Sequence, residues 1–209
     1  MTQDETNDLP SQCNPEMMRG LAHVPGRAAQ LALRASAFEM LETFTIHPGL
    51  LGTQLSNAWL GEHQWRVQLL RHSDMRNIGP EDMFDALVAA LERKGMTQLF
   101  GTYVDAKGIT SPTAVWRVPV DRDLIPCFFE AHCHSPHMLF PEDRSFAIHG
   151  TEDVYAAFAG PEAFLREALL QEFQGEAALA DLQRFMENDY GEKAFTGILP
   201  HYAPFLLED

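Results

Sequence analysis

Basic residues are scarce in this chain. Fifteen Lys and Arg stand against thirty Asp and Glu in 209 residues, a formal net charge of -15. A surface of that sign repels nucleic acid, whose phosphates are held through Lys and Arg, and it repels anionic membranes as well. Long apolar runs are missing: no stretch of about 18 hydrophobic residues occurs, so no membrane-spanning helix is expected. The opening MTQDETNDLPSQ is acidic and polar, without the basic start and apolar stretch of a secretory signal. Cysteine is sparse and odd in number, with Cys13, Cys127 and Cys133. These absences argue against a secreted disulfide scaffold and lead to the expectation of a reduced, cytoplasmic protein of bacterial type. Catalytic signatures are missing too. There is no G-x-S-x-G elbow, P-loop or dinucleotide glycine fingerprint.

What is present suits a globular chain. Hydrophobic residues make up 45% and charged residues 22%, enough for a sizeable core. The length fits one domain, expected over residues 15–209 after a disordered tail at 1–14. Residues 15–45 read as helical with a break at Pro25-Gly26, and Leu31, Phe38 and Leu41 fall at helical spacing. HPG at 47–49 ends that region, and 50–60 carries no clear period. Trp65, Val67 and Leu69 alternate as in a half-buried strand. Gly79-Pro80-Glu81-Asp82 opens a helix with an apolar stripe of Met83, Phe84, Leu87, Val88 and Leu91, closed by Lys94-Gly95. Further strands are expected over 97–104, 114–120, 127–134, 145–149 and 154–159. Gly160-Pro161-Glu162 starts another helix, 176–188 forms one more, and the tail from Ala194 is expected to wrap as ordered coil. The sum is an α+β fold: a mostly antiparallel β-sheet with helices packed on one face or end, and a helical N-terminal region.

The densest chemistry is EAHCHSPH at 130–137. On a strand, Glu130, His132 and His134 share one face, while Cys127, Ala131 and Cys133 take the other. The two cysteines are then about 20 Å apart, beyond disulfide reach. If the Ser135-Pro136 turn folds His137 back over that row, three imidazoles and a carboxylate could hold zinc with one open position, and Glu130 could serve as ligand or general base. A small zinc-type enzyme built on Glu130, His132, His134 and His137 is therefore the alternative function. Against it, H-x-H-x-x-H has low specificity and lacks an H-E-x-x-H or C-x-x-C companion. A solvent-facing polar row would look the same, and the turn is not expected to return His137.

Acidic charge is concentrated late. From Leu139 to Asp209 there are 14 Asp and Glu against 4 Lys and Arg, a net of -10 out of -15. Within that region LFPEDRSFAIHGTEDVYAAFAGPEAFLREAL, residues 139–169, runs strand, acidic turn at Glu152-Asp153, Tyr155-bearing strand and A-G-P-x-x-F helix start. This resembles the closing unit of bacterial immunity proteins from toxin–immunity loci. The resemblance implies a non-enzymatic protein that binds and blocks a toxin, with no cofactor and no catalytic residues. An acidic inhibitor suits a basic toxin, because complementary charge raises association rate. Asp143, Glu152 and Asp153, in this chain's acidic C-terminal half, are the expected exposed residues for contact with the protein partner.

Overall fold

Alternating apolar residues pair seven short strands into one antiparallel sheet in the computed structural model, which describes residues 20–47, 50–76, 81–104, 114–151, 154–191 and 194–208. The strands are β1 (Ala22–His23), β2 (Leu41–His47), β3 (Leu50–Leu55), β4 (Arg66–Arg71), β5 (Gln98–Tyr103), β6 (Val115–Pro119), β7 (His137–Phe140), β8 (Ala147–Gly150) and β9 (Tyr155–Gly160). The large sheet has the order β1-β6-β5-β7-β8-β9-β4, and β2 and β3 form a separate hairpin. Every neighbouring pair is antiparallel. The helices are α1 (Arg27–Glu39), α2 (Asn57–Glu62), α3 (Glu81–Arg93), α4 (Leu124–His132), α5 (Glu162–Ala168), α6 (Gly175–Tyr190) and α7 (Ala194–Tyr202). The fold is α+β with an antiparallel sheet, as the sequence pattern indicates.

The two-residue period of the strands gives the sheet two apolar faces. Leu99, Trp116, Leu139, Ile148 and Phe158 face α3, α4 and α5, with Leu87, Ile125, Phe128 and Leu165 packed on them. Phe100, Val115, Met138, Phe140 and Ala157 face the other way, onto Ala37 of α1, Leu60 of α2, Leu182 of α6 and Phe195 of α7. Helices expected on one face or end thus cover both. Among the described residues no helix is long and apolar enough to cross a membrane.

Several boundaries differ from expectation. The first helix stops at Glu39, and 41–47 is strand β2, because Thr43 and Thr45 belong to a β-branched stretch that finds a partner in β3. The unassigned 50–60 stretch is β3 followed by α2, whose start is capped by the Ser56 hydroxyl accepting from Trp59 N–H at 3.4 Å. The C-terminal tail is helix α7 rather than coil, in spite of Pro200, and Tyr202 anchors it in the core. Gly95 ends α3 with φ 72, the left-handed conformation its lack of a Cβ permits. The expected tail at 1–14 lies outside the described residues.

Candidate functional site

The stretch expected as a strand over 127–134 is helical, and this rearranges the whole candidate site. Asp121 Oδ1 accepts from the N–H groups of Asp123 and Leu124 at 2.9 and 3.1 Å, satisfying donors that a new helix leaves open. Pro126 falls in the first turn of α4, where its missing N–H has no intrahelical carbonyl to reach. Phe128 and His132 then stand one turn apart and stack, ring centroids 4.3 Å apart and planes 28° from parallel. Glu130, His132 and His134 therefore do not share a face. His132 is buried, Glu130 is partly buried and His134 is exposed. Cys127 and Cys133 are not disulfide-bonded; on α4 they are separated by about 9 Å of helix rise rather than a strand length.

Glu130 is engaged elsewhere. Its carboxylate accepts two bonds from Arg76, at 2.5 Å from Nε and 2.8 Å from Nη2. The Arg76 hydrogen bonds hold the Glu130 carboxyl below its ordinary value, although partial burial opposes them.

The Ser135-Pro136 turn does return the chain. Ser135 N–H donates to His132 C=O at 3.1 Å, and His137 opens β7 with its ring centroid 6.1 Å from that of His132. A third imidazole joins from a place that sequence spacing gave no hint of. His72, in a 3-10 turn just after β4, lies with its Nε2 3.4 Å from His137 Nε2 and ring centroids 5.1 Å apart. His72, His132 and His137 are all buried. Phe128 and Phe129 pack edge-on to His137, and Tyr103 and Trp116 pack on His132.

Hydrogen-bond partners fix the tautomers. A carbonyl only accepts, so His137 Nδ1–H donates to Ser135 C=O at 2.8 Å and His132 Nδ1–H donates to Phe128 C=O at 2.6 Å. Neutral His132 and His137 therefore carry their lone pairs on Nε2. The Nε2 of His132 is buried without a hydrogen-bond partner among the described residues. Burial, reinforced by His137, Arg76 and His134, pushes His72 down to about 2. Burial and then His137 push His132 down to about 3. His149 lies on the opposite face, opposite Met138 of β7. Thr53 Oγ1 donates to Val104 C=O at 2.8 Å and so accepts from His149 Nε2–H at 3.3 Å. Burial, with His137 second, pushes His149 down to about 3. Among the described residues no three His, Cys, Asp or Glu side chains are gathered in metal-ligating geometry.

The acidic surface is organised differently from the histidines. Asp143 is exposed in the turn between β7 and β8, where its Oδ1 accepts from Ser145 N–H at 3.0 Å. Glu152 and Asp153 lie outside the described residues. Eight arginines are neutralised by carboxylates: Arg66 and Arg166 by Glu162, Arg71 and Arg184 by Asp181, Arg76 by Glu130, Arg93 by Glu167, Arg122 by Asp85 and Arg144 by Glu39. Glu62, Glu92, Glu142 and Glu172 are exposed and pair with no described cation. No protein-family model, curated protein or solved structure matches the chain.

Proposed function

We propose that the chain is a non-enzymatic protein-binding protein that presents an acidic surface to a basic protein, in the manner of an immunity-type inhibitor of a cationic toxin. One observation carries this reading. Eight of the chain's twelve arginines are paired with carboxylates, and a net charge of -15 leaves the remaining surface charge negative. Such a surface steers a basic partner and loses that advantage as salt rises. The exposed Glu142-Asp143 turn lies in the segment that resembles immunity proteins, and it projects two carboxylates between β7 and β8.

The test is direct binding of the purified chain to the basic protein encoded beside it, together with protection from that protein's toxicity. Association is expected to slow at least tenfold between low and physiological salt. A Glu142→Lys, Asp143→Lys double variant is expected to slow it further without changing the thermal midpoint by more than a degree or two. Absence of a neighbouring basic partner, or binding indifferent to both salt and charge reversal, would overturn the reading.

A further inference from the structure

We propose that the face of α2 around Trp59 receives an arginine-bearing segment of the basic partner, whose guanidinium takes the place that Arg144 holds in the free chain. This rests on the protein-binding reading and names the side chains that make the contact. Trp59 is half-buried on α2, and His63, exposed one turn later, stacks on it with ring centroids 3.9 Å apart and planes 15° from parallel. Trp65 braces the pair, edge-on to Trp59 at 6.0 Å. A tryptophan that is partly open and held by other rings is the kind of side chain that anchors protein–protein contacts.

The chain itself shows which group this anchor holds. The Arg144 guanidinium lies over the Trp59 ring, 5.2 Å from its centroid and within cation–π range, and it pairs with the Glu39 carboxylate. An indole face with a carboxylate beside it suits a guanidinium, and the surroundings are acidic. Glu142 and Asp143 precede Arg144 in the β7–β8 turn, Glu62 follows Trp59 by three residues on α2, and all three are exposed. With Glu39 they make four carboxylates against one guanidinium, a local charge of -3 that complements a cationic partner. The Glu39–Arg144 pair is a weak lock, because its side chains are 60% and 34% exposed and an ion pair in water contributes little. Two atoms of the same helix, Trp59 Nε1 and Asn57 Oδ1, are withdrawn from water without a hydrogen-bond partner among the described residues. An incoming backbone segment can offer a carbonyl to the first and an N–H to the second. Exchanging one guanidinium for another keeps the cation–π contact and releases Arg144 to bond the partner.

Rim charges act mainly on association and a buried anchor on dissociation, so rate constants against the basic protein encoded beside the chain test the exchange. Trp59→Ala is expected to speed dissociation about tenfold or more with association changed less than about twofold. Arg144→Ala, which removes the internal occupant, should slow dissociation by about threefold. Arg122→Ala is the control: it removes the same charge from the Asp85 pair on α3, across the sheet, and should leave dissociation unchanged. Should Trp59→Ala fail to fold, Arg144→Ala decides. A hexa-arginine peptide at low salt serves as a probe that needs no partner protein. It should change the tryptophan emission of the wild-type chain saturably, and hexa-lysine should bind more weakly. Trp59 is the reporter, since Trp65 and Trp116 are only 4% and 0% exposed. Dissociation indifferent to Arg144→Ala overturns the inference while the protein-binding reading stands, and emission indifferent to hexa-arginine overturns it as well. A saturable emission change with no protein partner to be found supports the arginine site and withdraws the protein-binding reading.

Discussion

Gly150 lies directly across the β7–β8 pair from His137, and the His137 ring occupies the space a side chain at Gly150 would need. A Cβ added there would sit 2.3 Å from His137 Nε2 and 2.5 Å from Cε1. The ring is enclosed by Phe128 and Phe129 and has no room to retreat. Gly150→Ala is therefore expected to cost about 1–3 kcal/mol, the usual penalty of overpacking, read as a lower urea midpoint at unchanged m-value. A wild-type midpoint would show that His137 does not pack over this glycine.

Gly101 supports the same cluster from β5. A Cβ at Gly101 would meet Phe128 Cε2 at 2.2 Å, so the glycine lets the Phe128–His132 stack lie against the sheet. Neither glycine announces itself in the sequence, because the need for it comes from a ring distant in the chain: His137 on the neighbouring strand for Gly150 and Phe128 on the facing helix for Gly101. The same holds for the site as a whole. The strand at 65–70 was legible from the spacing of Trp65, Val67 and Leu69, although β4, expected to be half-buried, is buried on both faces like β5, and the α3 and α5 starts were legible from Pro-Glu steps. The span 127–134 was misread because alternating Phe, Glu and His imitate a strand. The contrary signal was local: Asp121 three residues ahead of the helix start at Leu124, and Pro126 in its first turn. His72 reaches His137 across 65 residues, and only the sheet order, with β7 and β4 separated by β8 and β9, sets that distance. Strand order is not encoded in local periodicity.

The Arg76–Glu130 pair ties the segment after β4 to α4. Both side chains are mostly withdrawn from water, 21% and 15% exposed, and the fork geometry is bidentate, so the pair is screened less than a surface bridge. Glu130→Gln is expected to destabilise by about 1–3 kcal/mol, as for a hydrogen bond to a charged group. A double-mutant cycle with Arg76→Ala should return a coupling energy of at least ~0.5 kcal/mol. Additive single-mutant effects would mean the pair contributes nothing of its own.

Tyr202 fastens α7 to the β2–β3 hairpin. Its hydroxyl accepts from Leu55 N–H at 3.3 Å and sits near Tyr155, with ring centroids 6.4 Å apart. Burial raises both phenols, Tyr155 to about 12 and Tyr202 well above its ordinary value. An ultraviolet titration of the folded chain should leave these two tyrosines un-ionised past pH 11, releasing them only on unfolding. Tyr202→Phe should cost about 1–2 kcal/mol by stranding the buried Leu55 N–H. Ionisation of both phenols near pH 10 in the native protein would contradict their burial.

Acid should unfold this protein through its histidines before its carboxylates titrate. His72, His132 and His149 have folded values of about 2, 3 and 3, against about 6.5 in the unfolded chain. The unfolded state therefore binds more protons below pH 6.5, and stability falls as pH falls toward the folded values. Above about pH 7.5 the full stability is present. By pH 5.5 each histidine has removed about 1.4 kcal/mol, roughly 4 kcal/mol for the three, a large share of the 5–15 kcal/mol typical of a domain. Asp74 works the other way. Burial raises it against the pull of Arg71, so it adds stability as acid approaches its own range and offsets part of the loss only there. Urea midpoints measured in steps from pH 7.5 to 5.5 should report an uptake approaching three protons on unfolding. His149→Leu, on the far face from the cluster, should reduce that uptake by about one. A stability that is flat across this interval would show that these imidazoles are not buried as neutral rings.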